Sequence, residues 1–184
     1  FKHPTERGIW RFSKSNSSRS GVTFRSQVVT NHEDATRAFA TCFSTVLDAG
    51  DVVCLNGDLG AGKTFLARAL CEALRVPREA GVSSPTYCLV NHYEGGVYPI
   101  AHLDLYRLGD EDELEAIGFR DLLDGSYLVL IEWPERAPSL RRLCDWWVQI
   151  DDRGPQCRVF TIDGVDAQRA ATLAEAVESE GLQA

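Results

Sequence analysis

The residues with the clearest chemical meaning form one short run, Gly57-Asp-Leu-Gly-Ala-Gly-Lys-Thr64. Glycine, four residues, Gly-Lys and then Ser or Thr is the pattern of a phosphate-binding loop. Its glycines allow a tight backbone path whose N–H groups converge on a phosphate. In such a loop Lys63 reaches the β- and γ-phosphates, and the Thr64 hydroxyl holds Mg²⁺. We therefore expect a nucleoside triphosphate and Mg²⁺ as ligands. The residues expected to contact the nucleotide here are Asp58, Leu59, Gly60, Ala61, Gly62, Lys63, Thr64 and Phe65.

The segments on either side of this run support the same interpretation. Residues 52–55 are uniformly apolar, which is typical of a buried parallel strand. Residues 65–74 place apolar side chains at helical spacing and contain no Gly or Pro, and Pro77 then ends the helix. Strand, glycine loop and helix thus occur in the order that a phosphate site needs. The alternative is a glycine-rich turn between two ordinary elements.

A second requirement is an acidic side chain opposite the loop, because Mg²⁺ on a triphosphate prefers oxygen ligands and keeps several waters. Ligands of an open α/β sheet lie at the carboxyl ends of its strands. Glu132 follows the apolar residues 128–131, and Asp104 follows the strand-like residues 100–103. Either acid is otherwise a surface residue at a strand end. Trp133 comes directly after Glu132, so it is either a core aromatic or one that gates the site.

The remaining periodicities predict an α/β fold of the P-loop NTPase type, with a mixed, mostly parallel sheet flanked by helices and with antiparallel hairpins. A first strand is expected at residues 27–30, and a helix over 32–47 capped by Asn31, with Ala35, Phe39, Phe43 and Val46 facing inward. Two hairpins are expected, one from 86–93 and 97–105 and one from 146–150 and 158–162. A short helix opens at 110–113, and a terminal helix covers 167–177. In this scheme His92 and His102 lie in strands and are interpreted as packing or surface residues.

Composition indicates an ordinary globular protein. The 184 residues are 44% hydrophobic and 25% charged, and no apolar run approaches the roughly 20 residues that span a bilayer. Residues 1–25 carry six Lys and Arg against one acid, so their net charge is +5, while residues 26–184 carry −13. We expect a flexible basic arm over 1–25 and one domain over 26–184. Six scattered cysteines without a Cys-x-x-Cys pair indicate reduced thiols in a reducing compartment.

Four linked motifs carry a resemblance to a known family. They are the loop 57–64, Ser84-Pro-Thr-Tyr87, His102-Leu-Asp-Leu-Tyr-Arg-Leu108 and Ile131-Glu-Trp-Pro-Glu-Arg136. Together, and in this order, they resemble the TsaE (YjeE) family of bacterial ATPases over about residues 28–163. Arg158 in the last hairpin also fits that pattern.

The resemblance implies an ATPase needed for threonylcarbamoyladenosine (t6A) formation in tRNA. Such a protein acts on a complex of TsaD and TsaB and reaches tRNA only through that complex. The resemblance implies no membrane partner. Lys63, Glu132 and Asp104 would then be the catalytic residues, and Thr64 and Glu132 would hold Mg²⁺. Trp133 would lie at the nucleotide or partner face, and Thr86 would contact the γ-phosphate from a switch segment, residues 84–86. The implied location is the bacterial cytoplasm, with organelle import through the basic arm as the alternative.

Two other functions stay open on the residues alone. A small-molecule kinase of the phosphate-loop type has a similar length, and Arg136, Arg141 and Arg142 are available for a lid over the transferred phosphate. Arg141 and Arg142 are more simply a solvated helix face. A non-hydrolysing adaptor, whose docking surface is shaped by bound ATP, is the other alternative. Release of phosphate, transfer to an acceptor, or binding without turnover separates the three.

Overall fold

The computed structural model of the chain describes residues 15–17 and 21–183. Within them, eight strands form one sheet in the order β1-β2-β8-β7-β3-β6-β5-β4. The strands are β1 (Ser15–Ser17), β2 (Gly21–Thr30), β3 (Val52–Asn56), β4 (Val90–Tyr93), β5 (Ile100–Asp104), β6 (Leu128–Glu132), β7 (Trp146–Asp152) and β8 (Arg158–Gly164). The α-helices are α1 (Glu33–Ser44), α2 (Lys63–Ala73), α3 (Glu113–Ala116) and α4 (Ala167–Ser179).

The centre of the sheet is parallel, and its flanks are antiparallel. Strand β3 pairs in parallel with β6 on one side and β7 on the other, and β6 pairs in parallel with β5. The β4–β5 and β7–β8 hairpins and the β2–β8 pair are antiparallel. The register places Asp104 opposite Glu132, and Glu132 opposite Leu55. The mixed α/β sheet with a parallel centre is confirmed, and its carboxyl edge brings both predicted acids beside the loop that follows β3.

Apolar side chains cover both faces of this sheet. On one face α1, α2 and α4 pack through residues such as Phe39, Phe43, Leu70 and Leu173. The other face is covered by α3 and by short 3₁₀ turns, through residues such as Leu122. Strand β3 is buried on both faces, as its continuous apolar run predicts. The predicted inner face of α1 is also buried.

Several predicted boundaries differ from the structure, and the first concerns the expected arm. Strand β2 begins at Gly21 and pairs with β8, so residues 21–25 belong to the sheet, although we expected them in the arm. Residues 1–14 and 18–20 of that expected arm lie outside the described part of the chain. Helix α1 is capped by His32, whose Nδ1 accepts the Ala35 N–H at 3.0 Å, because the chain turns one residue later than an Asn31 cap requires.

The segment predicted as a strand from residue 86 is instead a turn as far as Leu89. The Leu89 N–H donates to the Pro85 carbonyl at 2.7 Å, and Leu89 has a positive φ of 63°. A turn closed after Pro85 keeps these residues out of the ladder, so β4 starts only at Val90. This difference matters because the turn carries Thr86.

The expectation that all the cysteines are reduced was wrong for one pair, since Cys54 and Cys144 form a disulfide. The parallel pairing of β3 with β7 brings together two residues that are 90 positions apart, with their Cα atoms 6.2 Å from each other. Sequence spacing gives no sign of this contact. Cys42, Cys71, Cys88 and Cys157 are free thiols, and the first two are buried. Among the described residues, every helix is too short or too polar to cross a bilayer.

Candidate active site

The loop between β3 and α2 has the backbone that its glycines predict. Three glycines of the loop have backbone φ values that residues with a side chain rarely adopt. The values are 152° at Gly57, 82° at Gly60 and 110° at Gly62. A Cβ atom on Gly57 would lie 2.6 Å from the Ile150 carbonyl oxygen of β7. Gly62 is the last residue before α2, so the loop delivers its backbone to the helix N-terminus. There the first-turn amides have no partners within the helix and attract an anion.

Arg158 braces this loop from β8. Its Nε donates to the Ala61 carbonyl at 2.8 Å, and Nη1 donates to the Gly154 carbonyl at 3.1 Å and to Asp152 Oδ1 at 3.0 Å. The planar guanidinium therefore ties the loop to the β7–β8 hairpin in a fixed orientation. In the sequence, Arg158 was noted only for its fit to the family pattern. Its contact with Ala61 joins residues that are far apart in the chain, so it is visible only in the folded structure.

Lys63 is buried and folded back on its own loop. Its Nζ donates to the carbonyls of Gly57 at 2.6 Å and Asp58 at 2.8 Å, and it lies 3.5 Å from the centroid of the Trp133 ring. Only 4% of Lys63 is exposed. Burial lowers the pKa of Lys63, and the negative charges of Glu132, Glu135, Asp104 and Asp58 oppose that shift. The ammonium group is thus held at the loop beneath an aromatic cover. Trp133 itself has a φ of 58°, an uncommon backbone state for a bulky residue.

Glu132 faces Thr64 across the site. The Thr64 hydroxyl donates to Glu132 Oε2 at 2.8 Å, and only 2% of Glu132 is exposed. This contact joins the start of α2 to the end of β6. It brings together the two residues that the sequence predicted as ligands of Mg²⁺.

Asp104 lies beside Glu132 and holds the turn that carries Thr86. Its Oδ2 accepts the Thr86 hydroxyl at 2.9 Å and the Ser84 hydroxyl, while Oδ1 accepts the Tyr106 N–H at 2.9 Å. The carboxylate thus fixes the segment 84–86 against the end of β5. The hydroxyl oxygens of Ser84 and Thr86 also lie 2.8 Å from each other. The predicted switch segment is therefore linked directly to a predicted catalytic acid.

These groups surround a cavity of about 410 Å³. Its lining includes eight of the predicted nucleotide-contact residues and both acids. They are Leu59, Gly60, Gly62, Lys63, Thr64, Phe65, Thr86, Trp133, Asp104 and Glu132, and Ser84 and Tyr106 complete the wall. Asp58 and Ala61, which were also predicted to contact the nucleotide, do not line it. Asp58 turns its carbonyl to Lys63, and Ala61 lines a neighbouring cavity.

That second cavity, of about 280 Å³, lies on the other side of the loop. It shares Gly60, Gly62 and Phe65 with the first. The loop also supplies Ala61. The N-terminus of α1 and the β7–β8 hairpin supply the other walls, which are His32, Glu33, Thr36, Gln156, Arg158 and Phe160. No sequence motif predicts this cavity. It forms where three elements distant in sequence meet.

His102 was interpreted as a packing or surface residue, and the structure places it inside the site. It is fully buried, with Nε2 2.8 Å from Glu132 Oε1. A signal was present in the sequence, because His102 stands two residues before Asp104 in one strand and side chains at that spacing share a face. His92, the other histidine considered, is exposed on β4 and has its ring 5.5 Å from that of Tyr127.

The oxygen donors fit Mg²⁺ bound together with a phosphate. A threonine hydroxyl and two carboxylates are hard ligands of the kind this ion takes, and it usually needs only one or two carboxylates beside phosphate and water. Across residues 15–17 and 21–183, no cluster of three or more His, Cys, Asp or Glu could cage a metal ion by itself.

Comparison with known proteins shows which family the chain resembles. The family model for "Threonylcarbamoyl adenosine biosynthesis protein TsaE" matches residues 30–159. A protein of Haemophilus influenzae named tRNA threonylcarbamoyladenosine biosynthesis protein TsaE is 44% identical over 100 residues, which cover 54% of this chain and 62% of that protein. The protein of the same name from Aquifex aeolicus is 40% identical over 125 residues, covering 68% of this chain and 86% of its own length.

Among solved structures, the crystal structure of YdiB from Bacillus subtilis superposes with a TM-score of 0.62 at 24% identity. The match covers 86% of this chain and 98% of that one, and it supports the fold. For the Haemophilus protein the chain spans less than two thirds of the relative's length. The family model nevertheless matches well over half of the chain, including the loop, both acids and Trp133. The chain belongs to the TsaE family of threonylcarbamoyladenosine biosynthesis proteins.

Proposed function

We propose that this protein is a Mg²⁺-dependent ATPase that supports t6A formation in tRNA by acting on a TsaD–TsaB complex. One observation carries the proposal. Lys63 and Thr64 at the start of α2 meet Glu132 and Asp104 at the ends of two adjacent strands, around one cavity. Phosphate-binding amides, a cation and oxygen ligands for Mg²⁺ are the parts that phosphoryl transfer to water needs.

Each residue has a separate task in this proposal. The loop amides and the α2 N-terminus bind the phosphates, and Lys63 exchanges its carbonyl partners on the loop for phosphate oxygens. Thr64 and Glu132 would hold Mg²⁺, which supplies positive charge against the charge that develops on the γ-phosphoryl group. Asp104 helps to position the attacking water or the ion. Because most of the catalysis is positioning and charge stabilisation, the buried hydrogen bonds of these acids are part of the site.

The second cavity gives the nucleoside a place. It adjoins the phosphate loop through Gly60 and Gly62, and Glu132 is not among the residues that line it. The Phe65 side chain borders both cavities and offers an apolar surface for the ribose or base. We place ribose and adenine there, between the α1 N-terminus and the β7–β8 hairpin.

The segment 84–86 gives the site a way to report on the γ-phosphate. Thr86 and Ser84 are held by Asp104, and the next residue, Tyr87, is 86% exposed with the Arg107 guanidinium 4.4 Å from its ring centroid. Leu59 on the loop is 79% exposed. Exposed apolar and aromatic side chains close to a cavity are typical of a partner surface. A γ-phosphate contact to Thr86 would also move its neighbour Tyr87 on this surface. Because the docked TsaD–TsaB complex is proposed to complete the site, turnover of ATP is expected to be slow until the complex docks.

The site of action in this proposal is the bacterial cytoplasm. One domain that includes β1 and β2 carries the activity, and the basic residues 1–14 serve as an arm that is not needed for it. Import into an organelle through this arm remains the alternative. Deleting residues 1–14 and measuring turnover tests the arm's role.

The decisive experiment measures phosphate release from ATP by the chain alone and with purified TsaD–TsaB. We expect slow release alone and faster release with the complex, and loss of both in Lys63→Ala and Glu132→Gln. Arg142→Ala is the matched control, because Arg142 is exposed and lines neither cavity. Transfer of phosphate to a small acceptor would indicate a kinase instead. Tight ATP binding without release, with or without the complex, would indicate an adaptor.

A further inference from the structure

His102 is a polar residue of the site that does not line its cavity. It lies in the middle of β5 and is fully buried. Ile100, His102 and Asp104 alternate along the strand and share a face, and Ile100 packs in the same cluster as Leu66 of α2. His102 thus lies on the face that supports the phosphate-loop helix, with the Tyr93 ring centroid 6.3 Å away. A polar ring in such surroundings is costly to bury unless a hydrogen bond compensates.

That hydrogen bond goes to Glu132. His102 Nε2 lies 2.8 Å from Glu132 Oε1, while the other carboxylate oxygen, Oε2, accepts the Thr64 hydroxyl. An ionised carboxylate only accepts hydrogen bonds, so the imidazole donates to it through Nε2–H. Within the described part of the chain, Nδ1 is buried and has no hydrogen-bond partner. An apolar side chain would avoid that orphaned nitrogen, so the contribution specific to histidine here is the donor to Glu132.

The two contacts on Glu132 differ in what happens to them during binding. The Thr64 hydroxyl is itself a proposed ligand of Mg²⁺, so its contact with Glu132 Oε2 has to adapt to the position of the ion. The His102 contact is on the other oxygen and comes from the strand beside β6. It therefore does not depend on the position of Thr64, and it restricts the three side-chain torsions of Glu132.

We propose that His102 is a positioning residue that fixes the Glu132 carboxylate for Mg²⁺ through its Nε2–H. This inference rests on the proposed function, since it assigns a support to the same site. Removal of a hydrogen-bond partner behind a metal-ligating carboxylate costs about 10- to 100-fold in metal affinity or activity. The loop amides and Lys63 hold the phosphates independently of His102, so nucleotide affinity without Mg²⁺ is expected to stay within about twofold of the wild type.

The test measures ADP affinity by calorimetry in EDTA and in Mg²⁺, for the full chain and for three substitutions. His102→Leu removes the donor at similar volume. His102→Gln offers an amide N–H at about the distance of Nε2 from the backbone, and His102→Asn offers one nearer to Nδ1. We expect the gain in affinity from Mg²⁺ to fall about 10-fold in His102→Leu and His102→Asn and to return in His102→Gln. His92→Leu, on the exposed side of β4, is the matched control and is expected to keep the full gain.

A double-mutant cycle separates positioning from general support of the fold. In a Glu132→Gln background, His102→Leu is expected to cause no further loss of the Mg²⁺-dependent gain, because the residue acts through that carboxylate. If His102→Leu and Glu132→Gln instead reduce the Mg²⁺-dependent gain in ADP affinity by independent factors that multiply, the inference is overturned. It is also overturned by a His102→Leu variant that matches the wild type in Mg²⁺, or by a wild type whose ADP affinity is the same in EDTA and in Mg²⁺.

A measurement on the unaltered chain keeps the inference testable if the substitutions unfold the protein. Long-range ¹H–¹⁵N spectra distinguish the two imidazole tautomers, and the Nε2–H form is expected for His102. Detection of the Nδ1–H form would contradict the inference. The proposed function fails separately, if the wild type binds neither ATP nor ADP.

Discussion

Replacing Gly57 by alanine tests the loop geometry on which the phosphate site depends. A Cβ atom there would lie 2.6 Å from the Ile150 carbonyl oxygen and 3.1 Å from the Ala61 Cβ, and the backbone φ is 152°. Backbone strain of this kind costs about 1–3 kcal/mol. Crowding against β7 adds about 1–3 kcal/mol, because the obstacle is main chain and cannot rotate away. We expect Gly57→Ala to lower the free energy of unfolding by about 4 kcal/mol.

Gly60→Ala provides the matched control within the same loop. Gly60 also has a positive φ, of 82°, but no atom lies within 4 Å of its added Cβ. Only strain remains, at about 1–2 kcal/mol. For a chain of this length 1 kcal/mol corresponds to about 2–4 °C in Tm. The expected falls in Tm are therefore about 8–16 °C for Gly57→Ala and about 2–8 °C for Gly60→Ala.

Thermal unfolding followed by circular dichroism measures both variants. Affinity for ADP is then measured well below either Tm, and it is expected to fall further in Gly57→Ala because β7 displaces the loop backbone. A Tm for Gly57→Ala equal to or above that of Gly60→Ala would refute the close approach of β7 to the loop.

Further predictions concern the lysine, the tryptophan and the cysteines. Lys63→Met is expected to lose nucleotide binding without losing stability at neutral pH, as judged by urea unfolding, because burial disfavours the charge it removes. Burial lowers the pKa of Lys63 in the folded protein from 10.5. Between that lowered pKa and 10.5 only the unfolded chain still binds the proton, so the wild type is expected to gain stability relative to Lys63→Met as the pH rises through this range. Trp133 lies over the Lys63 ammonium, so ADP with Mg²⁺ is expected to change tryptophan emission, and Trp133→Phe to abolish that change. Native alkylation followed by mass spectrometry is expected to label the exposed Cys88 first and to recover Cys54 and Cys144 in one disulfide-linked pair of peptides. Alkylation of Cys54 and Cys144 without a reductant would contradict the disulfide.

Much of the fold and the site could be predicted from local sequence. The loop, its strand and its helix follow from glycine placement and apolar periodicity, which are local properties. Glu132 and Asp104 were found because acids directly after buried strands must lie at the carboxyl edge of the sheet. The structure brings both to the predicted loop.

The contacts that were missed join distant parts of the chain. Cys54 and Cys144 meet only because β7 returns beside β3, and Arg158 reaches Ala61 across the same junction. His102 was assigned by the usual behaviour of histidine in a strand, whereas its partner depends on which strand lies next to β5. The turn carrying Thr86 was predicted as a strand, because its composition does not reveal the hydrogen bond that closes after Pro85.

The central claim is that the cavity bounded by the loop, Thr64 and Glu132 binds the phosphates of ATP together with Mg²⁺. Calorimetric titration of ADP into the intact protein in the presence of Mg²⁺ tests it most directly, with Lys63→Ala titrated alongside. We expect saturable binding of one nucleotide per chain and a large loss of affinity in the variant. Absence of binding by the wild type, or equal binding by both proteins, would contradict it.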